Sequence, residues 1–261
     1  MIGLTTLNIE LCSRCNKSCW MCGRRKIERE HPEWCDYGDM PIRMVQEVAD
    51  QTPVDIVVQF HWNGEPLLYE WLGDALSMFE DNIRGLDTNG KLLLAKADDI
   101  IDNLEVLTVS VIQDDEQFEK YLQWENVRGF ISKKGNRKPR MVYRCLGKVD
   151  TSKWSQLPGT VVTRTLHDAM GSFQYKKTVT IPEMGTCLEM LNHFAIDRFG
   201  NIFPCVRFDP QGKNLLGHID EGLTTVWYGD KRKDWVRKHV EGKRNEVPLC
   251  AECDYYGIPI G

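Results

Sequence analysis

The sequence predicts an α/β protein with a smaller C-terminal extension. Between Thr5 and Thr165, six strand-like segments alternate mostly with helical patterns. That alternation implies a parallel array with right-handed crossovers. After Gly171 the pattern changes to short apolar runs about a turn and one basic helix. The ten cysteines divide the same way. Four lie at Cys12, Cys15, Cys19 and Cys22, four at Cys187, Cys205, Cys250 and Cys253, and only Cys35 and Cys145 stand apart.

Thr5 to Leu11 alternates apolar and polar residues and reads as the first strand. Residues 23–39 are charged and without period, so they read as loop, with Arg24, Arg25 and Lys26 on a solvated face. Pro41 to Gln51 reads as a helix, with Ile42, Val45 and Val48 at helical spacing behind Pro41. Asp55 to Trp62 is a buried strand that runs into Asn63-Gly64-Glu65-Pro66, and Trp71 to Glu80 is the helix completing that unit. Leu86 to Gly90 is a short strand closing on an Asn-Gly turn. Leu92 to Ile101 reads as helix, Leu104 to Val111 as the fourth strand and Asp115 to Gln123 as helix. Pro139 to Leu146 and Gly159 to Thr165 are the fifth and sixth strands. In the extension, the apolar runs on either side of Phe199-Gly200-Asn201 predict a β-hairpin, and roughly Asp230 to Gly242 a basic helix. The expected division is a domain of residues 1–180 and a cluster-binding extension of residues 181–261.

A length of 261 residues suits one large domain, or one with a small addition. The net charge of −5 argues against a non-specific nucleic-acid binder. No apolar run reaches the roughly 18–20 residues that span a membrane. The N-terminus lacks the basic and apolar regions of a signal peptide. These features predict a cytoplasmic protein with no nucleic-acid or membrane partner. In that compartment ten cysteines argue for metal or catalysis rather than disulfides.

Cys15, Cys19 and Cys22 stand at spacing C-x3-C-x2-C. Three thiolates leave a four-iron cube one ligand short. Zinc would more often pair C-x2-C with a second pair or a histidine, and His31 is the nearby candidate. Gly64-Glu65-Pro66 sits at a strand end about 40 residues later. Such a turn offers carbonyls and a carboxylate to an ammonium, and Gly64 allows close backbone approach.

The cysteine spacing after a first strand, followed by Gly-Glu-Pro, resembles the signature of the radical S-adenosylmethionine (SAM) enzymes. The resemblance implies a partial (β/α)6 barrel and a 4Fe–4S cluster on Cys15, Cys19 and Cys22. It implies SAM chelated to the open iron and cleaved to a 5′-deoxyadenosyl radical after one electron from a donor such as flavodoxin or ferredoxin. By the same resemblance Asn63, Gly64, Glu65 and Pro66 hold the SAM amino group. Asn89 closes the third strand and Ser110 meets the ribose or carboxylate. Met21 occupies a position that is often aromatic in the family.

Cys187, Cys205, Cys250 and Cys253 are four thiols, a complete set for one cluster, with four-cysteine zinc the rival on ligand count. This tail resembles the SPASM/twitch extension in its one-cluster form. The 17 residues between Cys187 and Cys205, and the 44 between Cys205 and Cys250, resemble those of aminocyclitol dehydrogenases of the twitch class. The expected activity is therefore dehydrogenation of a small-molecule substrate, with the auxiliary 4Fe–4S cluster as electron acceptor. A peptide cross-linker or epimerase is the alternative, and a zinc-binding interaction protein the non-enzymatic one. Arg144 and Arg164 lie on strands aimed at the same mouth and are candidates for substrate or SAM contact. Cys145 is the hydrogen donor that an epimerase would need.

Overall fold

The computed structural model describes residues 1–166, 186–207 and 209–253. The pattern change near Gly171 and the boundary between residues 180 and 181 lie outside the described residues.

Strand β1 (Thr6–Ile9) is followed by α1 (Arg24–Glu30) and α2 (Ile42–Gln51). Then come β2 (Val57–Phe60), α3 (Leu72–Ser77), β3 (Ile83–Thr88), α4 (Ala97–Ile100) and β4 (Val106–Ile112). Helix α5 (Gln117–Lys134), β5 (Arg140–Leu146) and β6 (Thr160–Arg164) complete this part. The later residues give α6 (Leu188–Asn192), β7 (His193–Ile196), β8 (Asn201–Phe203) and β9 (Gly217–His218). They end in α7 (Leu223–Trp227), α8 (Asp230–Val240) and α9 (Pro248–Glu252).

The nine strands among the described residues form one sheet in the order β6-β5-β4-β3-β2-β1-β7-β8-β9. Strands β1 to β6 pair in parallel, each with its sequence neighbour. A series of right-handed crossovers that never reverses direction lays its helices on one face of the sheet. The other face, and the strands' C-terminal ends, are left to ligands. The expected hairpin forms as β7 and β8, but it extends the sheet of the first part: β7 pairs in parallel with β1, from Thr6 opposite His193 to Ile9 opposite Ile196. Gly200 makes the turn at φ 87°, where a side chain is strained.

The core lies between sheet and helices. Leu7, Ile9, Val58, Phe60, Leu86, Leu107, Val109, Tyr143 and Cys145 are buried there with Val45, Leu72, Val127 and Phe130 from the helices and Phe79 from the turn after α3. Successive strand residues point to opposite faces, so Asn8, Asp87, Ser110 and Arg144 face away from this core.

Three sequence expectations change. Residues 23–39 contain α1 and a turn of 3₁₀ helix, Pro32–Trp34, rather than continuous loop. Charge spacing gives α1 its order: Arg25 pairs with Glu28, and Lys26 with Glu30. Helix α5 runs to Lys134, well past the expected end at Gln123. Its buried face is Gln123, Val127, Phe130 and Lys134, so polar residues open and close the stripe while Phe118 and Tyr121 are exposed. Helix α4 keeps only Ala97–Ile100 of the expected ten residues, the chain before it being taken up by turns. Among the described residues no helix is long and apolar enough to cross a membrane.

Candidate active site

A cavity of about 330 Å³ opens at the C-terminal ends of β1 to β5. Cys15, Cys19 and Cys22 reach it from the loop after β1, with Met21 beside them. Asn63, Gly64 and Glu65 reach it from the turn after β2, Asn89 from the end of β3, Ser110 from β4 and Arg144 from β5. These are the residues whose convergence the sequence predicts. Lys17, Arg24, His61, Trp62, Asp87 and Arg207 line it as well.

The cysteine loop and the Gly-Glu-Pro turn are pressed together. A Cβ on Gly64 would fall 2.0 Å from the Cys12 carbonyl oxygen and 2.7 Å from Ser13 Cα, so no side chain fits. The Glu65 backbone N–H donates to the Arg14 carbonyl (2.8 Å). Arg24 closes the joint: its guanidinium donates to the Ser13 (2.6 Å) and Asn63 (3.2 Å) carbonyls and stacks 3.9 Å over the Tyr37 ring. The solvated face expected for Arg24 is thus corrected, since it is buried and bonded to the backbone of both loops. Its signal in the sequence was the (i, i+4) spacing to Glu28, which pairs with it.

Glu65 is buried and its carboxylate is largely committed. Oε1 accepts from the Thr88 hydroxyl (2.6 Å) and the Leu67 N–H (3.1 Å), and Oε2 from the Asn89 N–H (2.7 Å). A carboxylate has about four lone-pair sites, so one on Oε2 remains for a ligand donor. Burial outweighs the three donors and pushes the carboxyl up to about 7. Pro66 opens the 3₁₀ turn Pro66–Leu68 behind this group and does not line the cavity. The Asn89 amide donates to Asn16 Oδ1 (2.7 Å), inside the cysteine loop.

On the far wall Arg144 forms an ion pair with Asp87 Oδ2. His61 Nε2 lies 3.4 Å from the same oxygen, and the Gln59 amide donates to Asp87 Oδ1 (2.8 Å). Burial opposes ionisation of Asp87, but His61 and Arg144 outweigh it and hold the carboxyl below its usual value. Sequence reasoning missed His61 and Asp87. Their signal was position alone: each sits at a strand end just before a motif residue.

Besides Pro66, two candidates fall outside the cavity. Cys145 is fully buried in the main core with Met141 and Tyr143, on the opposite side of β5 from Arg144. That corrects its expected place in the pocket, because strand alternation turns residues 144 and 145 to opposite faces. Arg164 stands at the end of the edge strand β6, outside the cavity lining.

The thiol groups suit clusters. Burial pushes Cys19 up to about 12 and also raises Cys15, with the neighbouring thiols adding to both shifts. Three such thiols around one cavity are a ligand set that sheds its protons on taking up metal. Among the described residues no group of three or more His, Cys, Asp or Glu side chains closes to the radius of a single metal ion. A cube spreads its ligands wider than one zinc does. In the extension, Cys187 and Cys250 pack against Met190, Trp235 and Val247. Burial raises Cys187, Cys205 and Cys250, with smaller contributions from Cys253 on Cys187 and Cys250 and from Cys250 on Cys205. The buried Asn214 amide reaches the Cys250 sulfur (3.7 Å) and the Arg244 guanidinium the Cys250 carbonyl, the supporting bonds a sulfur-ligated centre needs. Cys253 also lines the main cavity, the one cysteine of the later four that does.

A strand-end cavity lined by three motif thiols and Cys253 has the donor set that iron–sulfur and SAM chemistry needs. Residues 187–254 match the SPASM family, an iron–sulfur cluster-binding domain. Over 264 aligned residues the chain is 25% identical to the S-adenosyl-L-methionine-dependent 2-deoxy-scyllo-inosamine dehydrogenase of Niallia circulans, covering 97% of this chain and 93% of that one. Residues 187–254 thus carry a SPASM match, and nearly the whole chain is similar to a SAM-dependent dehydrogenase. Its fold is similar to that of BtrN in complex with AdoMet and 2-DOIA, with a TM-score of 0.67 at 20% identity over 96% of this chain and 93% of that one. It is also similar to native anSMEcpe with bound AdoMet, with a TM-score of 0.67 at 14% identity over 97% and 92%.

Proposed function

We propose that this protein is a radical SAM dehydrogenase that oxidises an alcohol of a small, polar, carbohydrate-like substrate, with an aminocyclitol as the first class to test. The observation that carries this reading is one cavity shared by Cys15, Cys19 and Cys22, Glu65, the Arg144–Asp87–His61 group and Cys253. In this reading residues 1–180 are a partial barrel and residues 181–261 a twitch-type extension. Cys15, Cys19 and Cys22 hold one 4Fe–4S cluster, and Cys187, Cys205, Cys250 and Cys253 hold a second. When bound, the clusters and SAM would supply the one-electron chemistry that removes a carbinol hydrogen atom and one electron, the hydroxyl proton passing to solvent, with flavodoxin or ferredoxin as donor in the cytoplasm.

The chain's own residues bind and orient. The free lone pair of Glu65 accepts from the SAM ammonium, with Asn63 and Asn89 beside it and the Gly64 backbone in close contact. Ser110 offers a hydroxyl to the ribose or carboxylate, and Met21 packs on the adenine side. Arg144, held by Asp87, keeps N–H donors for a substrate oxygen, and donors fixed in advance favour the carbonyl that forms there. Arginine is a poor base, so Arg144 orients the oxygen rather than deprotonating it. The 25% identical relative is named for an inosamine, and the polar wall supports a substrate of that kind.

The test is anaerobic turnover of reconstituted, reduced protein with SAM and aminocyclitols deuterated at single carbinol carbons. Deuterium in 5′-deoxyadenosine together with a ketone product is expected. SAM cleavage with no ketone from any polyol or amino alcohol would overturn the dehydrogenase reading.

A further inference from the structure

We infer that Asn8 is a positioning residue that fixes the ring hydrogens of His61 and His193 together, tying the substrate cavity to the segment after Cys187 through one buried amide. The word substrate here rests on the function proposed above; the geometry does not.

The amide has only one orientation. Asn8 Nδ2 donates to the His61 carbonyl oxygen (3.1 Å), which places the NH2 group on the β2 side. The same nitrogen lies 3.4 Å from His61 Nδ1, which must therefore accept. The hydrogen of a neutral His61 then sits on Nε2, which faces Asp87 Oδ2 at 3.4 Å. Burial lowers His61 below the usual imidazole value; Asp87 pulls the other way, while Arg144 and His193 add to the lowering. A neutral ring with Nε2–H towards Asp87 fits all of these contacts.

On the other side Asn8 Oδ1 can only accept, and His193 Nε2 donates to it at 2.7 Å. His193 Nδ1 meets the Glu189 carboxylate, so that ring has an acceptor at each nitrogen. Asn8 and His193 are both 4% exposed. The chain Glu189–His193–Asn8–His61–Asp87–Arg144 thus crosses from α6 to β5, with His193, Asn8 and Asp87 buried and Glu189, His61 and Arg144 partly exposed. An asparagine in the middle passes hydrogen-bond direction but not protons. It also occupies the Nδ1 lone pair of His61, so His61 acts as a donor towards the cavity and holds Asp87, which holds Arg144.

Histidine-15N labelling of the holoenzyme, with long-range 1H–15N correlation, reads the two ring nitrogens separately. His61→Gln and His193→Gln assign the signals. The expected wild-type His61 pattern is a bare Nδ1 and a protonated Nε2, holding as pH falls through about 6.5, where free imidazole titrates. Asn8→Asp replaces the donor with an acceptor, and His61 is expected to carry hydrogens on both nitrogens at pH 7.5. A protonated Nδ1 in the wild type, or free titration of His61, overturns the inference, and that spectrum decides the point even where Asn8→Asp does not fold. Absence of SAM cleavage would count against the proposed function and leave this result standing.

Discussion

The Glu65 carboxylate accepts the Asn89 backbone N–H at 2.7 Å, so the turn after β2 holds the end of β3. The residue expected to bind SAM is also a structural tie between two strand ends, with one acceptor position left over.

That double role gives a pH signature. The Glu65 carboxyl is raised in the fold from 4.5 to about 7. A raised carboxyl favours the folded state fully below its unfolded value and loses that contribution as pH rises through 7. Apo protein should therefore lose stability from about pH 5 to 7, by up to about 1.4 kcal/mol per pH unit from this group, and level off above that. SAM affinity should rise over the same interval, because the ammonium needs the ionised acid. Glu65→Gln should flatten both trends, read by thermal unfolding and by calorimetric titration with SAM. Unchanged slopes in that variant would remove Glu65 from the SAM site.

Gly64→Ala should be severe. The new methyl meets three backbone atoms, of Cys12, Ser13 and Arg14, within 2.8 Å. Overpacking against backbone costs about 3 kcal/mol. The expected readout is a lower melting temperature and iron lost from the first cluster only.

Iron content separates clusters from zinc. Two cubes require about eight irons per chain and absorption near 400 nm. Replacing Cys15, Cys19 and Cys22 together with alanine should leave about four irons and abolish SAM cleavage. Stoichiometric zinc with no iron in anaerobically prepared protein would contradict the cofactor assignment.

Cys145→Ala separates dehydrogenation from epimerisation. The thiol is buried in the core, so truncation should cost about 1–2 kcal/mol of stability and leave the rate per folded molecule unchanged. A selective loss of turnover with normal melting would revive a hydrogen-donor role and the peptide-epimerase alternative.

The sequence carried the strand alternation, the three-cysteine spacing, the Gly-Glu-Pro turn and the four later cysteines, because each is a local pattern set by backbone period or ligand number. It did not carry α1, since a short helix with few apolar residues has no hydrophobic stripe to read. The end of α5 was hidden because Gln123 and Lys134, both polar, stand on its buried face.

What the chain determined by itself was the list of groups that could bind iron and SAM, and the order in which the sheet would present them. Only the tertiary structure decided which of them meet. Arg144 reached the cavity and Cys145 the core, one residue apart, because β5 alternates its side chains between two faces. Arg24 became a buried clamp and Asn8 a link between two histidines, because pairing β1 with both β2 and β7 brings together loops far apart in the chain.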